Sequence, residues 1–410
     1  MILFGKNENY RLIFDLIDGL KNGADITDAV GRLIEKCEKH KLYQNLWRSY
    51  IAWLIMNDEN AFSLACEMKT IEDCTLYAVA RKDAKELFDL FFYDFEGDFA
   101  KENEWLRLIL NYKPHTQHFQ TNREISGKTA VEFGQRLAKA ATPELFLKEI
   151  AAQYAQHGVG MFGNNAAFYL HEGETLSFIP IIEFEDVHLS DLWGYELQKK
   201  QLTDNTEAFL QGKTANNVLL YGDSGTGKST CVKAILNEYH DRGLRFVEIY
   251  KPQFKYLTEL IDHLRTRNYK FVIYMDDLSF EDFEIEYKYL KAVIEGGLEK
   301  RPDNVLIYAT SNRRHLIREN FSDRNAGDDI HKNDTMQEKL SLAERFGISI
   351  NFTKPVQKDY FEMVRYLAKN NGIQLPEDQL YDLARKWGIR NGGMSGRVAQ
   401  QFINHLKGKA

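Results

Sequence analysis

The residues best suited to chemistry are Gly222-Asp223-Ser224-Gly225-Thr226-Gly227-Lys228-Ser229, which match the pattern G-x-x-x-x-G-K-S/T at every fixed position. A polyphosphate needs a concave run of backbone N–H donors, and the glycines permit both the tight turn and the close approach of backbone to oxygen. In such a loop the Lys228 ammonium sits on the outer phosphates and the Ser229 hydroxyl on Mg²⁺, with Thr230 closing the candidate stretch. A second candidate is the pair Asp276-Asp277, which ends the apolar run Phe271 to Met275. Asp276 suits a Mg²⁺ ion held partly through water, and Asp277 suits the orientation of an attacking water.

These residues need particular elements beneath them. Val218 to Tyr221 are β-formers and lead into the glycine loop, and Val232, Ile235, Leu236 and Tyr239 recur at helical spacing after it. The pattern is strand, loop, helix, with the helix starting at Lys228 or Ser229 and its positive end facing the phosphates. Further strands are expected at Arg245 to Ile249, Phe271 to Asp277, Val305 to Thr310 and Ile348 to Phe352, with a crossover helix over Tyr256 to Arg267 and another over Glu284 to Leu298. Runs this continuously apolar are strands buried on both faces, so the expected core is a five-stranded parallel sheet over residues 183–353. From Pro355 the pattern is helical again, giving a small lid over 354–410. Within it Ser395 reads as an N-cap, and Arg397, in the positive first turn, implies an anion nearby.

Residues 1–157 read as successive amphipathic helices, for example Val30, Leu33, Ile34 and Cys37, then Leu46, Tyr50, Trp53 and Leu54. Between 51 and 100 there are eleven Asp or Glu against four Lys or Arg, and Leu87 to Phe95 interleaves aromatics with acids. That surface suits a protein partner better than a phosphodiester backbone, although ordinary helix cores with solvated acidic faces give the same pattern. Residues 158–182 read as a β-hairpin and linker.

Composition narrows the classes. A chain of 410 residues with 28% charged residues and a formal net charge of -7 carries no global basic field for nucleic acid. Cys37, Cys66, Cys74 and Cys231 lack metal-ligand spacing and disulfide density, so they read as buried apolar groups in a reducing compartment. No apolar run approaches membrane-spanning length, and a cytoplasmic location is expected. Asn325 to Thr335, with His331, reads as a polar insertion.

The set of motifs from Asp186 to Arg397 resembles an AAA+ ATPase module in the order of that family. The resemblance implies several further roles. Trp193-Gly194-Tyr195 become the adenine neighbours, and Asn312, after the fourth strand, becomes the sensor that holds water and γ-phosphate. Arg345, in Leu342-Ala343-Glu344-Arg345-Phe346-Gly347, resembles an arginine finger delivered to a neighbouring copy, the alternative being an ion pair with Glu338 or Glu344. Arg397 resembles the second sensor, reaching from the lid to the nucleotide. Asp277 stands where most of the family carries Glu; the Asp-Asp version occurs among replication initiators and helicase loaders, and slow hydrolysis is expected from it. The whole arrangement looks like a bacterial family of ATP-binding proteins catalogued only as a domain of unknown function. Tyr250-Lys251-Pro252-Gln253-Phe254 lacks the glycine of a threading pore loop. The expected activity is Mg-ATP hydrolysis in a homo-oligomer that remodels or positions a protein partner held by the helical N-terminal domain. The alternatives are a loader-like ATPase acting at DNA and a nucleotide switch with little turnover.

Overall fold

The computed structural model describes residues 1–6, 8–68, 74–95, 104–113, 125–173, 176–281, 284–296, 302–313, 316 and 342–409. They fall into two compact units: Met1–Ala166 with Pro180–Glu183, and Ala167–Ile179 with Phe184–Ala410.

In the first unit the described residues form helices α1 (Arg11–Lys21), α2 (Thr27–Lys39), α3 (Leu46–Met56), α4 (Ala61–Met68), α5 (Thr75–Phe91), α6 (Glu104–Leu110), α7 (Ile125–Leu137), α8 (Pro143–His157) and the short α9 (Gly160–Asn164). All of α3 except Arg48 and Trp53 is buried, as a helix apolar on every side must be, and it is the centre of this unit. It starts where Asn45 accepts the Arg48 N–H, an N-cap that satisfies one otherwise unpaired donor. The aromatics of Leu87 to Phe95 pack inward: Phe91 lies 5.3 Å from Phe146 and Phe95 lies 4.9 Å from Trp47, both edge-on. This corrects the idea of an aromatic surface; Asp89 and Asp94 are what that segment exposes. Cys37, Cys66 and Cys231 are buried as expected, whereas Cys74 is exposed.

The first unit holds a buried carboxylate of high value. Asp83 is 1% exposed and accepts the backbone N–H of Ile2, Leu3 and Phe4, the last at 3.1 Å. One side chain thereby pins a bent segment that lacks secondary structure to satisfy its amides.

The second unit carries a sheet of seven strands: β1 (Ala167–His171), β2 (Ser177–Pro180), β3 (Val218–Gly222), β4 (Leu244–Glu248), β5 (Lys270–Met275), β6 (Val305–Ser311) and β7 (Ile348–Phe352), in the order β2-β1-β4-β5-β6-β3-β7. The five expected strands are parallel, and their carboxyl ends share one edge. The stretch read as hairpin and linker departs from expectation in two ways. Gly160–Asn164 is helical, and β1 pairs in parallel with β4, so the pair β1 and β2 extends the core sheet. A periodic reading sees two short strands but not which sheet edge will take them. Around the sheet lie α10 (Glu196–Leu210), α11 (Lys228–Tyr239), α12 (Leu257–Arg265) and α13 (Glu286–Glu295). The lid is α14 (Gln357–Asn370), α15 (Glu377–Arg390) and α16 (Gly396–Lys407), built on Tyr360, Val364, Ala399 and Ile403. Ser395 caps α16 by accepting the Val398 N–H. Among the described residues no helix is long and apolar enough to cross a membrane. The insertion with His331 lies outside the described residues.

Replacing Asp83 by alanine strands three amides and should lower the unfolding free energy of the helical unit by about 3 kcal/mol. Urea denaturation followed by tryptophan fluorescence measures it; a loss below about 1 kcal/mol would show that the segment is held by its apolar contacts instead.

Candidate functional site

The loop after β3 is shaped by glycines with no alternative. Gly222 has φ 127°, and a Cβ there would lie 2.1 Å from the Phe352 carbonyl oxygen. Gly225 and Gly227 have φ 76° and 94°, and the Cβ of a larger residue would meet Ser395 and Leu192 respectively. Left-handed backbone at two positions of a short loop turns successive N–H groups inward, which is the geometry of an anion cradle. α11 begins at Lys228 and points its amino end at the same space. Lys228, 6% exposed, donates to the carbonyls of Gly222 (3.0 Å) and Asp223 (2.7 Å) and to Asn312 Oδ1 (3.1 Å). Those bonds use its three donors, so a phosphate reaches this ammonium only by displacing one of them. Burial lowers its pKa, the carboxylates of Asp223, Asp277 and Asp276 oppose that, and Arg397 adds to it.

The acids after β5 are held by β6. Asp276 Oδ1 accepts from the Ser229 hydroxyl at 2.7 Å and from the Thr310 hydroxyl at 2.5 Å. Burial would raise its pKa, but the hydroxyls of Thr310 and Ser229, with Tyr274 and the Asp277 amide beside them, more than offset it and hold the carboxyl below its usual value. Asp277 adopts φ 49°, a left-handed conformation tolerated by Asp more than by most residues. Its N–H donates to Thr310 Oγ1 at 2.9 Å, and its carboxylate accepts from Asn312 Nδ2 at 2.7 Å. Asn312 therefore bridges Lys228 and Asp277. Thr310 bridges both acids and was not singled out from sequence; only the β5–β6 register reveals it.

These groups line a cleft of about 720 Å³ whose other wall is the lid. Ser224 to Thr230, Trp193, Tyr195, Asp276, Asp277, Asn312 and Arg397 all face it. So do Met363, Leu367, Gln400 and Gln401 of the lid, which a helical pattern alone presents as ordinary core and surface positions. Asp223 instead ties the loop to the lid linker, its carboxylate accepting the Lys354 N–H at 2.8 Å. Arg397 is anchored by its own N–H, which donates to the Gly225 carbonyl at 3.0 Å. Tyr195, in a left-handed conformation at φ 58°, lies 5.1 Å from Phe352 and donates its hydroxyl to the Thr353 carbonyl at 2.8 Å. Gly194, at φ 78°, makes the turn but faces a separate groove of about 770 Å³ rather than the cleft. Arg345 is not among the cleft residues. Its guanidinium pairs with Glu295 at the end of α13, a partner that neither sequence alternative named. Glu338 lies outside the described residues.

The fit of this site to a polyphosphate and a hard cation rests on its donor set. Two cations, Lys228 and Arg397, share one cleft with a cradle open only to glycine, and the Ser229 hydroxyl and Asp276 carboxylate are oxygen ligands of the kind Mg²⁺ takes. A phosphate loop after β3, an acid pair after β5, a polar residue after β6 and a helical lid over the same sheet edge are the architecture of an AAA+ P-loop module. The chain belongs to the family described as protein of unknown function (DUF815), whose model matches residues 163–410. Over 76 residues it is 36% identical to the replication factor C large subunit of Staphylothermus marinus, a match spanning 18% of this chain and 17% of that protein. Similar solved structures include a mutant RuvB of Thermotoga maritima, with TM-score 0.38 and 17% identity over 55% of this chain and 66% of that one. Another is the RuvB Holliday junction branch migration motor of Thermotoga maritima, with TM-score 0.33 and 15% identity over 53% of this chain and 72% of that one.

Thr310→Val keeps the shape of the side chain and removes the hydroxyl that serves both acids. We expect divalent-cation affinity to fall about tenfold in a metal titration. The acid dependence should shift as well. A carboxyl held below its unfolded value of 3.8 contributes stability that is complete above that value and is lost as pH falls through the folded one. In Thr310→Val the folded value moves back toward 3.8, so the loss in thermal melts should be smaller and complete at higher pH; coincident acid limbs for the two proteins would contradict the assignment.

Proposed function

We propose that the chain binds ATP with Mg²⁺ and hydrolyses it in an assembly of like copies, and that the cycle remodels or positions a protein partner held by residues 1–175. The observation that carries the hydrolytic part is the continuous chain of hydrogen bonds Lys228, Asn312, Asp277, with Ser229, Asp276 and Thr310 beside it. The groups proposed to take the γ-phosphate, the cation and the attacking water are joined to one another by these hydrogen bonds. Lys228 and the loop amides take the phosphates, Ser229 and Asp276 take the cation, and Asp277 orients and polarises the attacking water. When bound, Mg²⁺ supplies positive charge at the phosphate oxygens. Asn312 is the switch between these tasks: as Lys228 turns to a phosphate, Asn312 Oδ1 is released while Nδ2 keeps Asp277 in place. Arg397 reports on the same phosphates from the lid, so nucleotide state and lid angle are coupled through α16.

Arg345 is proposed to act in trans on the cleft of an adjoining copy. Support comes from its exclusion from its own cleft and from its place just before β7. The partner-binding role of the helical unit is supported by its acidic exposed residues, such as Asp89 and Asp94. A second reading, a loader acting at DNA, draws on the Asp276-Asp277 pair and on the replication factor C match. Salt-insensitive absence of binding to single- and double-stranded DNA would remove it.

Titration of the purified protein with ATP and Mg²⁺ tests the centre of the proposal, and lack of saturable uptake would overturn it. Lys228→Ala should abolish nucleotide binding. Arg345→Ala should retain binding and lower steady-state turnover by about 10³-fold; parallel loss of binding in both would refute the trans role.

A further inference from the structure

Behind the acid pair lies a second set of polar groups that the activity described above does not use. Glu248 ends β4, and its register partner on β5 is Tyr274. Side chains of register partners and of residues two apart along a strand share a face, so Glu248, Tyr274 and Asp276 lie together on the face that Thr310 also joins. Tyr274 is 5% exposed, and its hydroxyl is buried close to the Asp276 carboxylate and the Ser229 hydroxyl, with no partner at full hydrogen-bond geometry. A buried hydroxyl without a partner costs about 1–3 kcal/mol, so its retention here calls for a function. Glu248 is half-buried and makes no side-chain hydrogen bond or ion pair among the described residues. Burial and then the Asp276 carboxylate raise its pKa, with Lys233 on α11 opposing them. A second carboxylate and a buried hydroxyl thus share the sheet face of Asp276, an arrangement in which the two acids repel until a cation neutralises them.

We propose that Glu248 and Tyr274 are positioning residues of the divalent-cation site: Glu248 accepts a hydrogen bond from a water on the cation, and Tyr274 donates to Asp276. This rests on the ATP-binding reading and deepens it. Mg²⁺ keeps several of its waters, and those waters need acceptors. Asp276 has one oxygen occupied by Thr310 and Ser229, and when Ser229 turns its oxygen to the cation the Tyr274 hydroxyl is the donor at hand to keep the carboxylate oriented. The prediction that separates this role from simple packing is a pair of opposite effects. Without metal, Glu248→Gln removes a repelling charge and leaves the thermal midpoint unchanged or raised. With metal, affinity falls.

The test is Mn²⁺ titration of the full chain, followed by electron paramagnetic resonance, in the presence of a non-hydrolysable ATP analogue. Thermal melts of the metal-free protein run alongside. Glu248→Gln should weaken Mn²⁺ binding about tenfold and Tyr274→Phe several-fold, the usual effect of losing an outer partner, while metal-free affinity for the analogue stays within twofold. Tyr274→Phe removes one oxygen and guards against a folding artefact in the other variant. Mn²⁺ affinity within twofold of wild type in both variants overturns the inference and leaves the ATP reading intact. A lowered metal-free midpoint accompanying the weaker affinity also overturns it, because the residues would then be structural. Failure of the wild-type chain to bind the analogue at all overturns both.

Discussion

One carboxylate oxygen bears most of the organisation of this protein. Oδ1 of Asp276 receives a hydroxyl from Ser229, on the helix after β3, and another from Thr310, on β6. Three separate stretches of chain meet there, and each is brought by its own strand to the carboxyl edge of one parallel sheet. A ladder slipped by one residue would turn Thr310 to the opposite face and leave the Asp276 carboxylate without one of its two hydroxyl donors. The apolar strands set the distance, and the hydrogen bonds set the register.

Two residues of the site hold unfavourable backbone, as Lys41 and Gln44 do in the helical unit. Asp277 and Tyr195 both have positive φ, and each is fastened by side-chain and backbone hydrogen bonds that oppose relaxation. For Asp277 the unusual backbone aims the carboxylate at Asn312 instead of along the strand. For Tyr195 it places an aromatic ring at the mouth of the cleft and its hydroxyl on the linker to the lid. Conformations costing of order 1–3 kcal/mol persist only where the surroundings over-determine them, and here both surroundings belong to the site. Gly225 adds the contact with the lid, since its carbonyl receives the Arg397 N–H and its missing side chain leaves room for Ser395. The loop and the lid are therefore fitted to one another at the level of single atoms.

The helical unit follows a different logic. Its core depends on α3 being apolar on all sides and on rings packed edge-on around Phe146 and Trp47. The alternation of aromatic and acidic residues in Leu87 to Phe95 reads in sequence as a surface, yet the end of α5 and the turn after it send Phe91 and Phe95 inward and leave Asp89 and Asp94 outside. Composition does not show which side of a segment faces the core: Phe91 is placed by the 3.6-residue period of α5, and Phe95 by its contact with Trp47 after the helix has ended.

From sequence alone the strands, the glycine loop, the helix beginning at Lys228 and the acids after β5 were all legible, because each depends on local rules: apolar continuity, backbone freedom and helical spacing. The order of the strands was not legible. Nor were the joining of β1 and β2 to the sheet edge, the service of Thr310 to both acids, the placement of Gly194 away from the cleft, or the pairing of Arg345 with Glu295. Each of these depends on contacts between residues far apart in the chain, whose pairing is chosen by burial and register across the whole sheet, and no local pattern encodes that choice.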